Sequence, residues 1–497
     1  MQIPEPASDG AVMRRGLSAL VWDGVFSQAL GVLAGGTFLT GCALELGASP
    51  FFIGLLVAIP YFAQLAHIPA VILVEKIRRR RPLCLASTLT ARALLLPLVL
   101  APLLSDHALG LDLILGAFAL LTPLAAIGGC TWMSWTCDLV PHDRLGDVFG
   151  RRQMLSTFSG IMAALLGGAM LGGWAHAFPA WHAGGYAGIF ALAVLAAMAS
   201  TWCLTRMPEV PLPPAKQRDW HVLFTHPFRD ANFRQLMIFL GCWQFVANLV
   251  LPFFAVYLIQ GLRYQITTAI ALGIVSQLAS IAALPLWGKL GDRYSNRTVI
   301  ALCAPLFLAC PIGWTLAAQP AASALALPIF AGLQVLLGAA TGGLDLACGN
   351  IALKLAPRGE ATVFLAANGL LKSLCAGCAP LVGGLLIDQF KGCNLTFALA
   401  DGAISLCLQA WQIFFLITCL LGVLALTRLG AVKEEGDIGI WAILGWSRRR
   451  PAEAPKGIGQ PFVQPSDSAP IWEGGALEPL DVEVNSPGLT GEVPISP

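Results

Sequence analysis

Apolar and polar positions alternate along this chain on the scale of whole membrane crossings. Twelve apolar runs lie near 17–43, 51–73, 83–104, 110–136, 153–175, 185–206, 235–260, 267–287, 298–318, 324–350, 362–388 and 403–428. Each has about 20 residues, enough to cross a bilayer core as a helix. Helices are required there because lipid offers no partner to an open backbone N–H or C=O. The pattern therefore predicts an all-α polytopic membrane protein with about twelve spanning helices, numbered 1 to 12 in chain order.

The polar stretches between these runs carry a repeat. Residues 71–81 read VILVEKIRRRR and residues 287–297 read WGKLGDRYSNR, so Glu75-Lys76 is answered by Asp292-Arg293. Downstream, DLVP at 138–141 is answered by KLAP at 354–357. Glu75 and Pro141 are 66 residues apart, Asp292 and Pro357 65. Matching charged loops at matching spacing imply two pseudo-symmetric six-helix bundles, an architecture typical of transporters. The boundaries that follow are a lead at 1–15, a bundle at 16–206, a connector at 207–232, a second bundle at 233–428 and a tail at 429–497.

Composition agrees with a membrane class. The chain is 57% hydrophobic and 12% charged, against about 25% charged in an ordinary soluble domain. Its mean hydropathy is +0.73. The net charge of +2 says little, but its placement does. If the N-terminus is cytoplasmic, 26 of the 30 Lys and Arg fall on the cytoplasmic side, and only Arg263 and Lys391 fall outside. That asymmetry predicts both termini inside. The first run is too long for a signal-peptide core and reads as an uncleaved helix. Of the fourteen cysteines, only Cys393 falls in a predicted outer loop, and Cys375 and Cys378 lie within predicted helix 11. There they read as small packing residues rather than a redox or metal pair. Residues 438–446, with Trp441 and Trp446, read as an interfacial anchor, as does Trp220 to Phe228 in the connector. The Pro- and Gly-rich stretch from 457, with no Lys or Arg, predicts a disordered tail.

At 287–297 the chain resembles the major facilitator superfamily, whose signature loop has the form G-x-L-x-[DE]-[RK]-x-x-x-[RK]. Gly288, Leu290, Asp292, Arg293 and Arg297 match the second copy; Leu73, Glu75, Lys76 and Arg80 match the first, with Val71 in place of the glycine. The resemblance spans about residues 16–428 and implies a latch. A carboxylate beside a helix start meets free backbone N–H groups and the positive end of the dipole. By that family geometry Glu75 faces the start of predicted helix 11 near Thr362, and Asp292 faces the start of predicted helix 5 near Arg151 and Arg152. Lys76, Arg79 and Arg80 are then candidates to pair with Asp138, and Arg293 or Arg297 with Asp345. A topology signal alone also explains the basic residues, though not the acids.

Ionisable groups inside a bilayer are costly and usually functional. Asp23 lies in predicted helix 1, and the repeat-related position in helix 7 is Gln244. Proton-coupled members of the superfamily often carry an acid in helix 1, so Asp23 is a candidate for proton coupling, with a structural ion pair as the alternative. Arg92 and Lys372 lie about 15 Å from the cytoplasmic helix ends, without basic partners across the repeat. Lys372, with Asn368 and Ser373, suits an anionic or hydroxylated solute; Arg92 could bind solute or neutralise Asp23. The resemblance also implies that helices 1, 4, 7 and 10 line a cavity. Trp132 and Trp135, Gln244 and Asn248, and Gln334 and Thr341 are the residues those helices offer. Aromatic faces with amides and hydroxyls would suit a polyhydroxylated or amphipathic solute. The G-P-x-x-G-G run of the family's drug–proton antiporters lacks its proline in helix 5, and a similar run appears in helix 11.

No phosphate loop or His-Glu-x-x-His spacing occurs, which argues against ATP-driven transport and metalloprotease chemistry. The sequence thus points to a non-enzymatic secondary transporter moving a small solute by alternating access, with proton-coupled uptake ahead of export. Its expected partners are the solute, protons and the bilayer, with no cofactor, metal or nucleic acid, in a monomeric multi-pass protein of the bacterial inner membrane. A transporter-fold assembly factor or sensor is the reading of a different class.

Overall fold

The computed structural model describes residues 7–141, 144–209, 227–317, 325–357, 361–392, 395–399 and 404–434. These lie in one compact unit, Met1–Leu444, and Gly445–Pro497 falls outside them. So do most of the connector with Trp220, the interfacial segment 438–446, the tail and Cys393.

Twelve helices are long and apolar enough to cross a membrane. They are α1 (Met13–Glu45), α2 (Pro50–Ile77), α3 (Arg80–Leu103), α4 (His107–Leu139), α5 (Gly146–Ala177) and α6 (Ala183–Thr205) in the first half. The second half has α7 (Ala231–Gly261), α8 (Ile266–Arg293), α9 (Asn296–Ala317), α10 (Ala326–Leu355), α11 (Val363–Gln389) and α12 (Ala410–Leu429). Twelve crossings return the chain to the face it started from. That face carries the loops of Glu75 and Asp292 and is called the charged-loop face below; the opposite one is the far face.

Two details depart from the hydropathy pattern. Predicted helix 12 begins at 403, but the span starts at Ala410, after Gln409 and Gln412 form a reciprocal capping box. The residues before it build a hairpin: β1 (Leu395–Leu399) pairs antiparallel with β2 (Ile404–Leu408), Leu395 opposite Leu408 and Leu399 opposite Ile404. In the sequence Asp401-Gly402 is a hairpin signal, but the apolar run that starts at 403 takes in β2 and so reads as the start of the last helix. The second departure is in α1, which bends where Leu33 ends one helical segment and Gly36 begins the next. Gly36 takes a φ of +51, a left-handed conformation open to glycine.

Each half has a core, and the two meet where the larger takes in Ala43, Ala48 and Ile53 and the smaller takes in Ile270. One large cluster joins Trp243, Phe253, Phe307, Trp314, Phe330 and Phe414 in the second half. Two smaller ones fill the first half, around Phe38 and Phe190, and around Trp135 and Leu139. The halves meet toward the far face. There α2 and α11 approach so closely that a Cβ on Gly54 would collide with the Pro380 carbonyl, and one on Gly384 would stand 2.5 Å from the Pro50 carbonyl oxygen. Small residues permit this backbone approach, the usual basis of helix association in lipid. The Phe51 N–H adds a hydrogen bond to Asp388 at 3.0 Å. Midway along the pair, the Tyr61 hydroxyl donates to Asn248 of α7 at 2.5 Å.

Within each half an ion pair joins elements at the charged-loop face. Arg80, 1% exposed, donates to Asp138 at 2.6 Å and to the Ser134 carbonyl at 2.7 Å. In the second half Lys354 stands where the repeat has Asp138, so the acid comes from elsewhere. Glu434, just beyond α12, accepts from Lys354 at 3.0 Å and from the Asn296 and Arg297 backbone N–H groups at 3.3 and 2.8 Å. It thereby satisfies the free donors at the start of α9 and ties together α9, α10 and the exit of α12.

Candidate functional site

Asp23 lies ten residues into α1 and is buried. It accepts from the Ser200 hydroxyl of α6 at 2.5 Å and from Ser27 at 3.3 Å. Arg92 of α3 donates to Ser200 at 2.7 Å and to Thr201. Ser200 thus relays between the arginine and the aspartate, because a hydroxyl accepts and donates at once. Arg152 of α5 also acts electrostatically on Asp23. Its guanidinium lies over the Trp132 ring of α4, 4.5 Å from the centroid, a cation–π contact that orients the charged plane.

α1 and α5 are seated for this by close contacts. Ser159 donates to the Val25 carbonyl at 2.9 Å, and the missing side chain of Gly24 leaves room for Arg152 to lie across α1. The result is a cavity of about 360 Å³ reached by Asp23, Arg92, Trp132 and Arg152 at one end. Its remaining wall is formed mainly by Leu30, Gly31, Leu95, Phe118, Leu121 and Gly128. The bend of α1 contributes Ala34 and Gly35 to the same wall.

A second cavity, also about 360 Å³, lies in the other half against α2. Gln244, Asn368, Lys372, Ser373 and Tyr61 line it. Lys372 interacts electrostatically with Asp345. Asn368 is buried, and its side-chain oxygen has no hydrogen-bond partner among the described residues.

The sequence-derived candidates therefore divide. Asp23, Arg92 and Trp132 meet in the first cavity; Gln244, Asn368 and Lys372 meet in the second. Asn248 stands beside the second cavity and holds Tyr61. Trp135 does not share the cavity with Trp132. It is fully buried, and its indole N–H donates to the Pro208 carbonyl at 2.9 Å. Residues three apart on a helix point about 60° apart, enough here to send one ring to the cavity and the other into the core. Gln334 is buried at 2% exposure, and Thr341 turns its hydroxyl to the Gly338 carbonyl in its own helix.

At the charged loops, Arg80 is the residue on Asp138, while Lys76 and Arg79 are exposed. Asp345 faces Lys372 rather than Arg293 or Arg297. It sits ten residues before the end of α10, about 15 Å short of the loop. Arg293 lies over the Tyr294 ring and the Arg297 N–H serves Glu434. Glu75 and Asp292 are exposed and make no ion pair among the described residues. The side chain of Thr362 lies outside the described residues, and a Cβ built on Gly288 would stand 4.0 Å from Leu346 of its own half.

Sequence reasoning passed over Arg152 as a cavity residue, and Ser200, Tyr61 and Glu434 altogether. Arg152 follows Arg151 near a helix start, where basic residues are expected on topology grounds. Its one signal is angular: consecutive helical residues point about 100° apart, so Arg152 need not share the exposed direction of Arg151.

A sequence model of the Major Facilitator Superfamily matches residues 22–330 and, overlapping it, 273–464. No curated protein matches the chain. Among solved structures, the nucleoside transporter NupG aligns over 85% of this chain and 98% of its own, at 13% identity and a TM-score of 0.60. A D-xylose-proton symporter aligns over 84% and 98%, at 12% identity and 0.59. A bacterial homologue of the iron transporter ferroportin, in an inward-facing state, aligns over 88% and 99%, at 14% identity and 0.57. At these identities the likeness is one of fold.

Proposed function

Because the chain belongs to the Major Facilitator Superfamily, we propose that it is a secondary active transporter working by alternating access and taking up a small solute together with a proton. The observation that carries this reading is the Asp23–Ser200–Arg92 relay at the cavity wall. A carboxyl placed between two arginines gains or loses their company with its proton. When Asp23 is ionised, Arg92 and Arg152 share its charge; when it is protonated, both become available to whatever enters the cavity. One site thus favours proton and solute together, which is the linkage symport requires. The other ionisable groups acting on this network are the thiols of Cys84 and Cys203.

The charged-loop face is assigned to the cytoplasm on the positive-inside rule. Contacts between the halves toward the far face, with Glu75 and Asp292 exposed at the other end, support an inward-facing state. In this reading the two carboxylates engage helix starts of the opposite half only when the inner side closes.

Reconstitution in liposomes with an entrapped pH-sensitive dye and a panel of solutes tests the proposal. At least one solute collapses an imposed proton gradient through the wild-type protein, and Asp23→Asn abolishes that collapse while retaining solute exchange. If no solute moves protons, or the asparagine variant behaves as wild type, proton symport is wrong.

A further inference from the structure

We propose that the first cavity takes a small amphipathic organic anion, its carboxylate on Arg152 and its apolar body along Leu30, Leu95, Phe118 and Leu121. The inference rests on the transporter reading above and names the solute class for that same site.

Charge is the first argument. The ionisable Asp, Glu, Lys and Arg groups lining this cavity are two guanidiniums and one carboxylate. Asp23 is satisfied by two hydroxyls, and Arg92 by Ser200 and Thr201. Arg152 has the Trp132 ring but no hydrogen bond or ion pair among the described residues. Even with Asp23 ionised the cavity carries one positive charge in excess, and protonation of Asp23 raises that excess, so an anion and a proton favour each other there. A desolvated cation left without an acceptor is costly, and an anion that supplies one removes the cost.

Orphaned donors are the second argument. Arg152 Nε and Trp132 Nε1 are buried without hydrogen-bond partners among the described residues, as is the neighbouring Ser156 hydroxyl. The first two can only donate. The missing atoms are therefore acceptors, gathered at one end of the cavity. The stacked guanidinium presents the planar fork that matches a carboxylate.

The third argument is the rest of the wall, which is mainly apolar; its two hydroxyls are already engaged, Ser27 on Asp23 and Thr88 on the Cys84 carbonyl of its own helix. A sugar needs amides and hydroxyls distributed around its ring, whereas here the polar groups cluster at one end. A volume of about 360 Å³ sits at the small end of ligand sites and limits the occupant to a compact acid.

The test uses the full chain, purified in detergent, and two probe series. One contains straight-chain carboxylates from butanoate to octanoate, with benzoate; the other contains the matching neutral amides. Binding is read by quenching of tryptophan fluorescence and by thermal shift. The expected result is saturable binding of one or more carboxylates, with the matching amide weaker by about tenfold or more. Arg152→Gln removes that preference. Arg152→Lys, which keeps the charge but loses the fork, retains part of it and controls for folding. Equal binding of acid and amide overturns the anion assignment, as does an Arg152→Gln variant that still prefers the acid, or a wild type that binds no carboxylate. Counterflow of the bound acid in proteoliposomes separates the two readings. If the acid binds at Arg152 but never crosses, the transporter reading fails and the anion site stands.

Discussion

Gly24 of α1 and Arg152 of α5 occupy one space: a Cβ built on Gly24 would stand 2.7 Å from both Cγ and Nε of the arginine. The glycine is thus part of the cavity without lining it. Gly24→Ala would push the guanidinium off the Trp132 ring while leaving the helix intact, since alanine is the better helix former. We expect transport to fall by about ten- to a hundredfold, the penalty of misplacing a binding group by an ångström, with little change in the unfolding midpoint. Equal transport by the variant would remove Arg152 from the mechanism.

The Arg80–Asp138 pair predicts an asymmetry. Arg80 is 1% exposed and Asp138 43%, so removing either partner has different consequences. Asp138→Ala takes a carboxylate away from a buried guanidinium, a loss of about 3 kcal/mol. Arg80→Met leaves a carboxylate that water can solvate and should cost about 1 kcal/mol or less. Chemical unfolding of the two variants in the same detergent checks the order, and the reverse order would refute the assignment.

Glu434 makes the second half sensitive to acid. Burial works against its ionisation, but the Arg297 N–H, Lys354 and Asn296 outweigh burial and hold the carboxyl below the usual glutamate range. A carboxyl whose folded pKa is lowered contributes stability above its unfolded value, and that contribution is lost as pH falls through the folded value. Thermal midpoints recorded from neutral pH down through the glutamate range should therefore fall more steeply in wild type than in Glu434→Gln. At neutral pH the glutamine variant should be less stable by about 1–2 kcal/mol. Parallel curves for the two proteins would count against the clasp.

Gly54→Val tests the contact between α2 and α11. The added side chain would meet the Pro380 carbonyl and force the halves apart at the far face. Cysteines placed near the far ends of these helices should react faster with a membrane-impermeant maleimide in the variant. Unchanged labelling would show that the helices part there anyway.

The architecture was legible because burying a polar backbone in lipid is so costly that hydropathy alone marks the twelve spans. Asp23, Arg92 and Lys372 stood out for the same reason, as charges where charges are expensive. Arg152 was hidden by its neighbour Arg151 at a helix start, and Trp135 was misassigned because spacing along one helix does not reveal which neighbour it meets. Glu434 lies 138 positions from Asn296, and nothing local marks it as the missing acid of the second half. The strand pair was hidden because β2 continues without a break into the apolar run of α12.

The close approach of α2 and α11 also bears on time. A gate made of long side chains can flicker open within nanoseconds as rotamers change. The seal between Gly54 and Pro380, and between Gly384 and Pro50, is backbone against backbone, with no side chain to swing aside. It opens only when whole helices move, on the microsecond-to-millisecond scale of collective motion. In the alternating-access reading, turnover is then paced by the bundle rather than by the solute's own diffusion.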